Sequence, residues 1–381
     1  MSPDDAGGGP GLSLRSVALF EVALPLVRPF RTSFGEETNK RAILVRVDGG
    51  DVAGWGECVA SEEPRYSEEW LAGSWLALQT IFGPALLDAP LADARAVGER
   101  LRWVRGHRMA KAAVEAAVLD ATLRRLGRSL ADELGAVRDR VPCGVSVGIA
   151  ATVGAMIEEI HGYLGHGYRR VKLKIEPGRD IDVIRAVREA LPDTPLSVDA
   201  NGAYRLSDAP VFEALDEMGL VMIEQPLDHE DLVEHAALQW RLRTPICLDE
   251  SIRSARDAAA AIELEACRVI NIKPGRVGGV LEAKRIHDVC LKQGMPVWIG
   301  GMLETGVGRA ANLALAALPG VTMPGDTSAS DRYFAEDLTV PFVLAPDGTM
   351  AVPTGPGLGV EPRPERLEAC TVRRAVVTRS S

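Results

Sequence analysis

An α/β barrel of the TIM type is the fold the sequence predicts, and three observations predict it. From Val141 onward, eight short apolar runs alternate with helical stretches: VPCGVSVGI, YRRVKLKI, LSVDAN, VMIEQP, ICLDES, VINIKPG, PVWIGG and VTMPGD. Strand and helix alternating in this number suit a closed parallel barrel. Five consecutive runs end on ionisable residues, Lys174, Asp199, Glu224, Asp249 and Lys273, at steps of 25, 25, 25 and 24 residues. A strand, a turn and a crossover helix take roughly that length. The third observation is parity. The residues just before these five (Leu173, Val198, Ile223, Leu248 and Ile272) are all aliphatic. Side chains alternate faces along a strand, so the aliphatics face covering helices while the ionisable groups share the barrel mouth. A doubly wound open sheet fits less well, because its ligand residues gather at one crevice rather than ending five strands in succession. A solenoid is disfavoured because the units share no leucine signature.

Before the barrel, MSPDDAGGGPG lacks the basic start and apolar core of a signal peptide and reads as a disordered leader. LRSVALFEVAL, AILVRVDGG and AGWGECVA are strand-like, with Gly49-Gly50-Asp51 as a hairpin turn. Between the first two lies PLVRPFRTSFGEETNK, which fits neither period and reads as a functional or disordered loop. Helices are expected over residues 68–82, 93–104 and, rich in alanine, 109–126. The Pro/Gly-rich tail from Pro341 carries short strand-like pieces and is expected to pack back on the N-terminal region.

The chain has 381 residues, 46% hydrophobic and 25% charged, with a net charge of −10. That balance argues against a general nucleic-acid or anionic-membrane binder. It leaves room for an anionic small substrate, since a bound metal can dominate the local field. No apolar stretch reaches the ~18 residues of a spanning helix. Six cysteines are scattered without a CxxC, so reduced, packed thiols and a cytoplasmic setting are expected.

Asp199, Glu224 and Asp249 fall on three adjacent strands. Converging carboxylates repel strongly at about 4–6 Å in a partly buried site. A divalent cation removes that conflict, and oxygen donors without His or Cys favour Mg2+, with Mn2+ or another divalent ion as substitutes. Taken singly, each acid would sooner cap the following helix or pair with a surface arginine; three at equal steps favour metal. Lys174 and Lys273 flank the acids and would face each other across the mouth. A lysine titrates near about 10.4 and works as a base nearer about 7–8. Burial and nearby cations, with Lys172, the metal and Arg276 as candidates, would supply the shift. The competing reading for each lysine is a salt bridge to a ligand carboxylate. An imine mechanism at Lys273 is less suited, because it has no need of three carboxylates. The glycine pair Gly300-Gly301 allows either close approach to a ligand or a tight turn. No spacing links the six histidines as metal ligands.

VKLKI, VDANGAY, IEQPL, CLDES, INIKPGRVGG and GGMLETGVGRAANLALAALPG resemble the muconate-lactonizing-enzyme subgroup of the enolase superfamily. PLVRPFRTSFG, VPCGVSVGI, PGDTSASDRYF and VPTGPGLGV extend the resemblance over nearly the whole chain. Within the subgroup the chain is most similar to o-succinylbenzoate synthases and N-acylamino acid (N-succinylamino acid) racemases. A lysine base beside a divalent cation is the general arrangement of enolase-superfamily sites. The resemblance implies a (β/α)7β-like barrel with an α+β cap: leader 1–11, cap 12–135, barrel 136–340, and a segment 341–381 returning to the cap. It implies Mg2+ on Asp199, Glu224 and Asp249, with Lys174 and Lys273 as bases on opposite faces and Lys172 supporting an enediolate. It further places Asn201 near metal and substrate, and Ser146, Gly301, Met302 and Leu303 at the acyl end. Arg276, three residues after Lys273, is expected in the site, tuning Lys273 toward a neutral base. PLVRPFRTSFGEETNK becomes a substrate lid carrying Phe30 and Arg31. The seventh strand lacks the His of the mandelate-racemase type. Asp326-Thr327-Ser328 keeps only the first acid of the DxD that dipeptide epimerases carry, which disfavours a dipeptide. The implied chemistry is proton abstraction α to a carboxylate, giving a metal-stabilised enediolate. Its outcome is racemisation of N-acyl/N-succinylamino acids, dehydration to o-succinylbenzoate in menaquinone synthesis, or both. A muconate-type cycloisomerase and a catalytically silent, metal-dependent binding barrel stand as alternatives. A small carboxylate substrate and a homo-oligomer are the implied partners.

Overall fold

The structure is a computed structural model that describes residues 11–379. The expected leader lies outside the described residues apart from Gly11. In chain order the first strands are β1 (Ser16–Thr32), β2 (Gly35–Asp48) and β3 (Ala53–Cys58). Next come β4 (Arg140–Pro142), β5 (Val145–Val147), β6 (Val171–Lys174), β7 (Leu196–Asp199) and β8 (Ile223–Glu224). Then follow β9 (Ile246–Leu248), β10 (Val269–Ile272), β11 (Val297–Ile299), β12 (Thr349–Ala351) and β13 (Thr371–Thr378).

The N-terminal strands form an antiparallel sheet in the order β13-β1-β2-β3, so the tail does return to pair with the first strand. The β2–β3 turn is the expected hairpin, closed by Gly49 N–H donating to the Val52 carbonyl at 2.8 Å. The helix Arg108–Leu126 packs across β3. Its alanines permit an unusually close approach. A Cβ at Gly56 would stand 2.9 Å from the Ala117 nitrogen, so only glycine fits. Asp120 on this helix accepts from the backbone N–H groups of Trp55 and Leu358 at 2.8 and 2.7 Å, joining helix, sheet and tail.

The segment read as an irregular loop is instead regular. β1 and β2 run on past the core as a two-stranded ribbon, paired as far as Thr32 with Gly35 and interrupted only between Pro25 and Phe30. No hydrophobic alternation announced it, because both faces of the ribbon stand clear of the core. Its tip reaches the barrel: Ser33 Oγ donates to the Ala200 carbonyl at 3.1 Å, and Ile149 N–H donates to the Arg31 carbonyl at 2.9 Å.

The second sheet is parallel, seven-stranded and curled, in the order β5 to β11 without exchange. Lys174 is paired with Asp199, and Asp199 with Glu224, in direct register. The eighth run forms no ladder strand. It closes the barrel through isolated bridges, Val321 to Val297 and Gly325 to Cys143, with Gly144 N–H donating to the Gly325 carbonyl at 2.7 Å. The outward residues Leu173, Val198, Ile223, Leu248 and Ile272 are fully buried beneath the helices. All six cysteines are buried and free. Among the described residues no helix is long and apolar enough to cross a membrane.

Candidate active site

The strand ends bring the five ionisable residues together at one rim. Asp199, Glu224 and Asp249 are fully buried, Lys273 is 5% exposed and Lys174 8%. Above them a cavity of about 550 Å3 opens between the barrel mouth and the ribbon. Lys172, Lys174, Asn201, Lys273, Ser146, Gly301, Met302, Leu303 and Phe30 all line it.

Each of the three lysines on the strand ends is ion-paired. Lys174 Nζ lies 2.7 Å from Asp199 Oδ2 and 2.6 Å from Asn201 Oδ1. Lys273 Nζ lies 2.7 Å from Asp249 Oδ2 and 3.1 Å from the Tyr66 hydroxyl. Lys172 Nζ sits among three carboxylates, at 2.7 Å from Asp326, 2.8 Å from Glu224 and 3.0 Å from Asp199. Among the described residues no three acids, histidines or cysteines are gathered as a metal cage. Each of the three buried carboxylates is paired with a lysine, and an unpaired charge there would be costly.

The donors nevertheless suit a hard cation. They are three buried carboxylates on adjacent strands, and Glu224 Oε2 makes no aligned hydrogen bond. The 2.8 Å approach of Lys172 to that oxygen is close but poorly directed. Glu224 Oε1 is held by Asn271 Nδ2 at 2.8 Å. Gln225 fixes the neighbouring strand end: its side-chain oxygen accepts from Asp249 N–H at 3.0 Å, and its nitrogen donates to Ser251 Oγ at 2.8 Å.

The two flanking lysines differ. Burial pulls Lys174 below the usual lysine range, and Asp199 only partly offsets it. Burial also depresses Lys273, but Tyr66, Glu250, Glu224 and Asp199 outweigh it and raise it overall. For Asp199 burial is outweighed by Lys174 and Lys172, so it is held well below the carboxylate range. Burial, reinforced by Asp199, pushes Glu250 upward.

One expected contact falls elsewhere, and one lid residue faces away from the cavity. Arg276 does not line the cavity. Its guanidinium is buried behind Asp249, with which it pairs, and donates to the Ile252 and Asn271 carbonyls at 3.0 and 2.7 Å. Arg31 turns away from the cavity to Glu176 at 3.1 Å, docking the ribbon on the barrel. The glycine pair has an intramolecular reason: a Cβ at Gly300 would come within 2.8 Å of Lys273 Cε, and one at Gly301 within 2.6 Å of the Asp326 carbonyl. Ser146 Oγ is buried without a hydrogen-bond partner.

Tyr66 and Glu250 escaped the sequence, and Asp326 was named there only for comparison with dipeptide epimerases. Tyr66 comes from the N-terminal unit, far from the barrel in sequence, and no spacing links it to Lys273. Asp326 did carry a signal, because the eighth run also ends on an acid. Three non-glycine residues at this rim, Asn201, Gln225 and Leu303, have φ of 47°, 35° and 56°. Such left-handed backbone is uncommon outside glycine and concentrates at functional sites.

A barrel with base, three acids and base on its rim, roofed by a ribbon from a separate α+β unit, is the architecture of an enolase-type enzyme. Family models agree: residues 14–135 match the mandelate racemase/muconate lactonizing enzyme N-terminal domain, and residues 155–366 the enolase C-terminal domain-like family. The chain belongs to the mandelate racemase/muconate lactonizing enzyme family of the enolase superfamily. It is 56% identical to an N-succinylamino acid racemase from Amycolatopsis sp., over 95% of this chain and 99% of that one. It is 49% identical to an o-succinylbenzoate synthase from Geobacillus kaustophilus, over 94% and 96%. A solved enolase-superfamily structure from Listeria innocua superposes with a TM-score of 0.91 at 40% identity, covering 96% of this chain and 99% of that one.

Proposed function

We propose that this enzyme removes a proton α to a carboxylate, racemising N-succinyl and other N-acyl amino acids, forming o-succinylbenzoate by dehydration, or both. The observation that carries the reading is the pair Lys174 and Lys273, both on the wall of one cavity and flanking three buried carboxylates. The named activities of the similar proteins supply the substrate class.

Asp199, Glu224 and Asp249 would hold a divalent cation, Mg2+ by the hardness of their oxygens. When bound, it supplies positive charge where the substrate carboxylate becomes more negative. The remaining work falls to side chains. Lys174, depressed by burial, is the amine that takes the α-proton. Lys273, raised by its anionic neighbours, starts as the ammonium on the opposite face. Racemisation requires such complementary starting states, one lysine receiving a proton and the other returning one. Dehydration uses Lys174 alone as base and keeps Lys273 as a cation. Lys172 lends a further fixed charge. The ribbon over the mouth, with Phe30 on the cavity wall, excludes water while the proton moves. The cap comprises residues 12–135 with 341–381, the barrel comprises residues 136–340, and the setting is cytoplasmic.

Polarimetry on single enantiomers of N-succinyl amino acids, with absorbance of the aromatic product for dehydration, tests the reading. Loss of rotation or growth of product supports it, and silence in both sinks it.

A further inference from the structure

The cavity wall holds one cation that the reaction above does not use. Lys40, on the ribbon strand β2, lines the cavity yet is only 2% exposed. Its sole hydrogen bond goes to the Val59 carbonyl at 3.3 Å, a long and neutral contact. Every other lysine or arginine on the wall has a carboxylate partner: Arg41 with Glu62, Arg65 with Glu63, Lys172 with Asp326, Lys174 with Asp199 and Lys273 with Asp249. Among the described residues Lys40 has none.

A buried ammonium without an anionic partner is unfavourable, and one facing a substrate cavity is completed by the substrate. We infer that Lys40 binds a second carboxylate of the substrate, the one at the far end of the acyl chain. Lys40 is then a specificity-determining residue that selects dicarboxylates such as N-succinyl compounds over neutral N-acyl ones. The location agrees. Val59, whose carbonyl Lys40 holds, packs where a Cβ on Gly275 would meet its side chain, just after Lys273. That places Lys40 on the ribbon side of the cavity near the end of the Lys273 strand, while the first carboxylate would be taken by a cation held on Asp199, Glu224 and Asp249. The inference rests on the proposed racemase/synthase reading and adds to it the partner of the succinyl end.

The test compares α-proton exchange of an N-succinyl amino acid with that of its N-acetyl counterpart. In Lys40→Met the ratio of kcat/KM, succinyl over acetyl, should fall about tenfold or more, as expected for one lost charge-assisted hydrogen bond. The loss should appear in KM, because the contact is the same in ground and transition states. Lys40→Arg should restore most of it. A second comparison needs no variant: wild-type enzyme should prefer the succinyl compound over the same chain ending in a carboxamide. A ratio unchanged in Lys40→Met, or equal use of carboxylate and carboxamide, overturns the role of Lys40. Absence of exchange by wild-type enzyme with all three compounds, together with no dehydration product, would instead overturn the proposed reaction itself; absence of exchange with dehydration intact would overturn the selection role of Lys40.

Discussion

Lys174 and Lys273 differ in surroundings more than in position, and the proposed proton exchange would use that difference. One is drawn below the lysine range by burial and the other held above it by Tyr66, Glu250 and nearby acids. Replacing either with alanine should cut racemisation by about a hundredfold or more, the usual worth of a positioned acid or base. Turnover of each enantiomer, followed separately, checks this. Arg276 acts from behind: it pairs with Asp249, the carboxylate that also holds Lys273. Arg276→Gln should therefore slow proton exchange at the Lys273 face more than at the Lys174 face. Equal slowing of both faces would remove that role. The residues on strand ends were legible because period and parity placed them. Tyr66 and Lys40 were not, since they reach the cavity from the N-terminal unit, one on the loop after β3 and the other on β2, and that proximity exists only after the units pack together.

At the scale of elements, the ribbon and the barrel closure were the hardest to read. The ribbon has no buried face to impose alternation, so its sequence looks irregular although its pairing is regular. The eighth run looks like a strand but holds only isolated bridges, because Pro324 lacks an N–H and Gly325 packs against Ile299. The Ala-rich helix was legible from composition, and it also links the two units. Its Glu115 accepts from Leu281 N–H at 3.1 Å, and burial pushes its carboxyl from 4.5 to about 7. A folded value above the unfolded one means that the folded state holds the proton more tightly. Stability from this group is present below pH 4.5 and lost as pH rises through about 7. Relative to Glu115→Gln, the wild type should lose up to about 3 kcal/mol across that window. Urea midpoints at both ends of the window check this, and parallel profiles would contradict it.

At the scale of the molecule, the barrel mouth gathers buried carboxylates and neutralises them with lysines. Asp199, Glu224 and Asp249 would hold a divalent cation in exchange for their lysine partners. Added Mg2+ should raise the melting temperature, corresponding to about 2.7 kcal/mol at a hundredfold excess over Kd. Asp249→Asn should abolish most of that rise, and calorimetry with and without a chelator checks it. The central claim is that two lysines exchange protons on opposite faces of one α-carbon. It is tested most directly by incubating each enantiomer of an N-succinyl amino acid in D2O with metal-loaded wild type, Lys174→Ala and Lys273→Ala. The account predicts deuterium at the α-carbon of both enantiomers with wild type. With each variant it predicts deuterium in one enantiomer only, a different one for each. Exchange of both enantiomers by either variant, or of neither by the wild type, would contradict it.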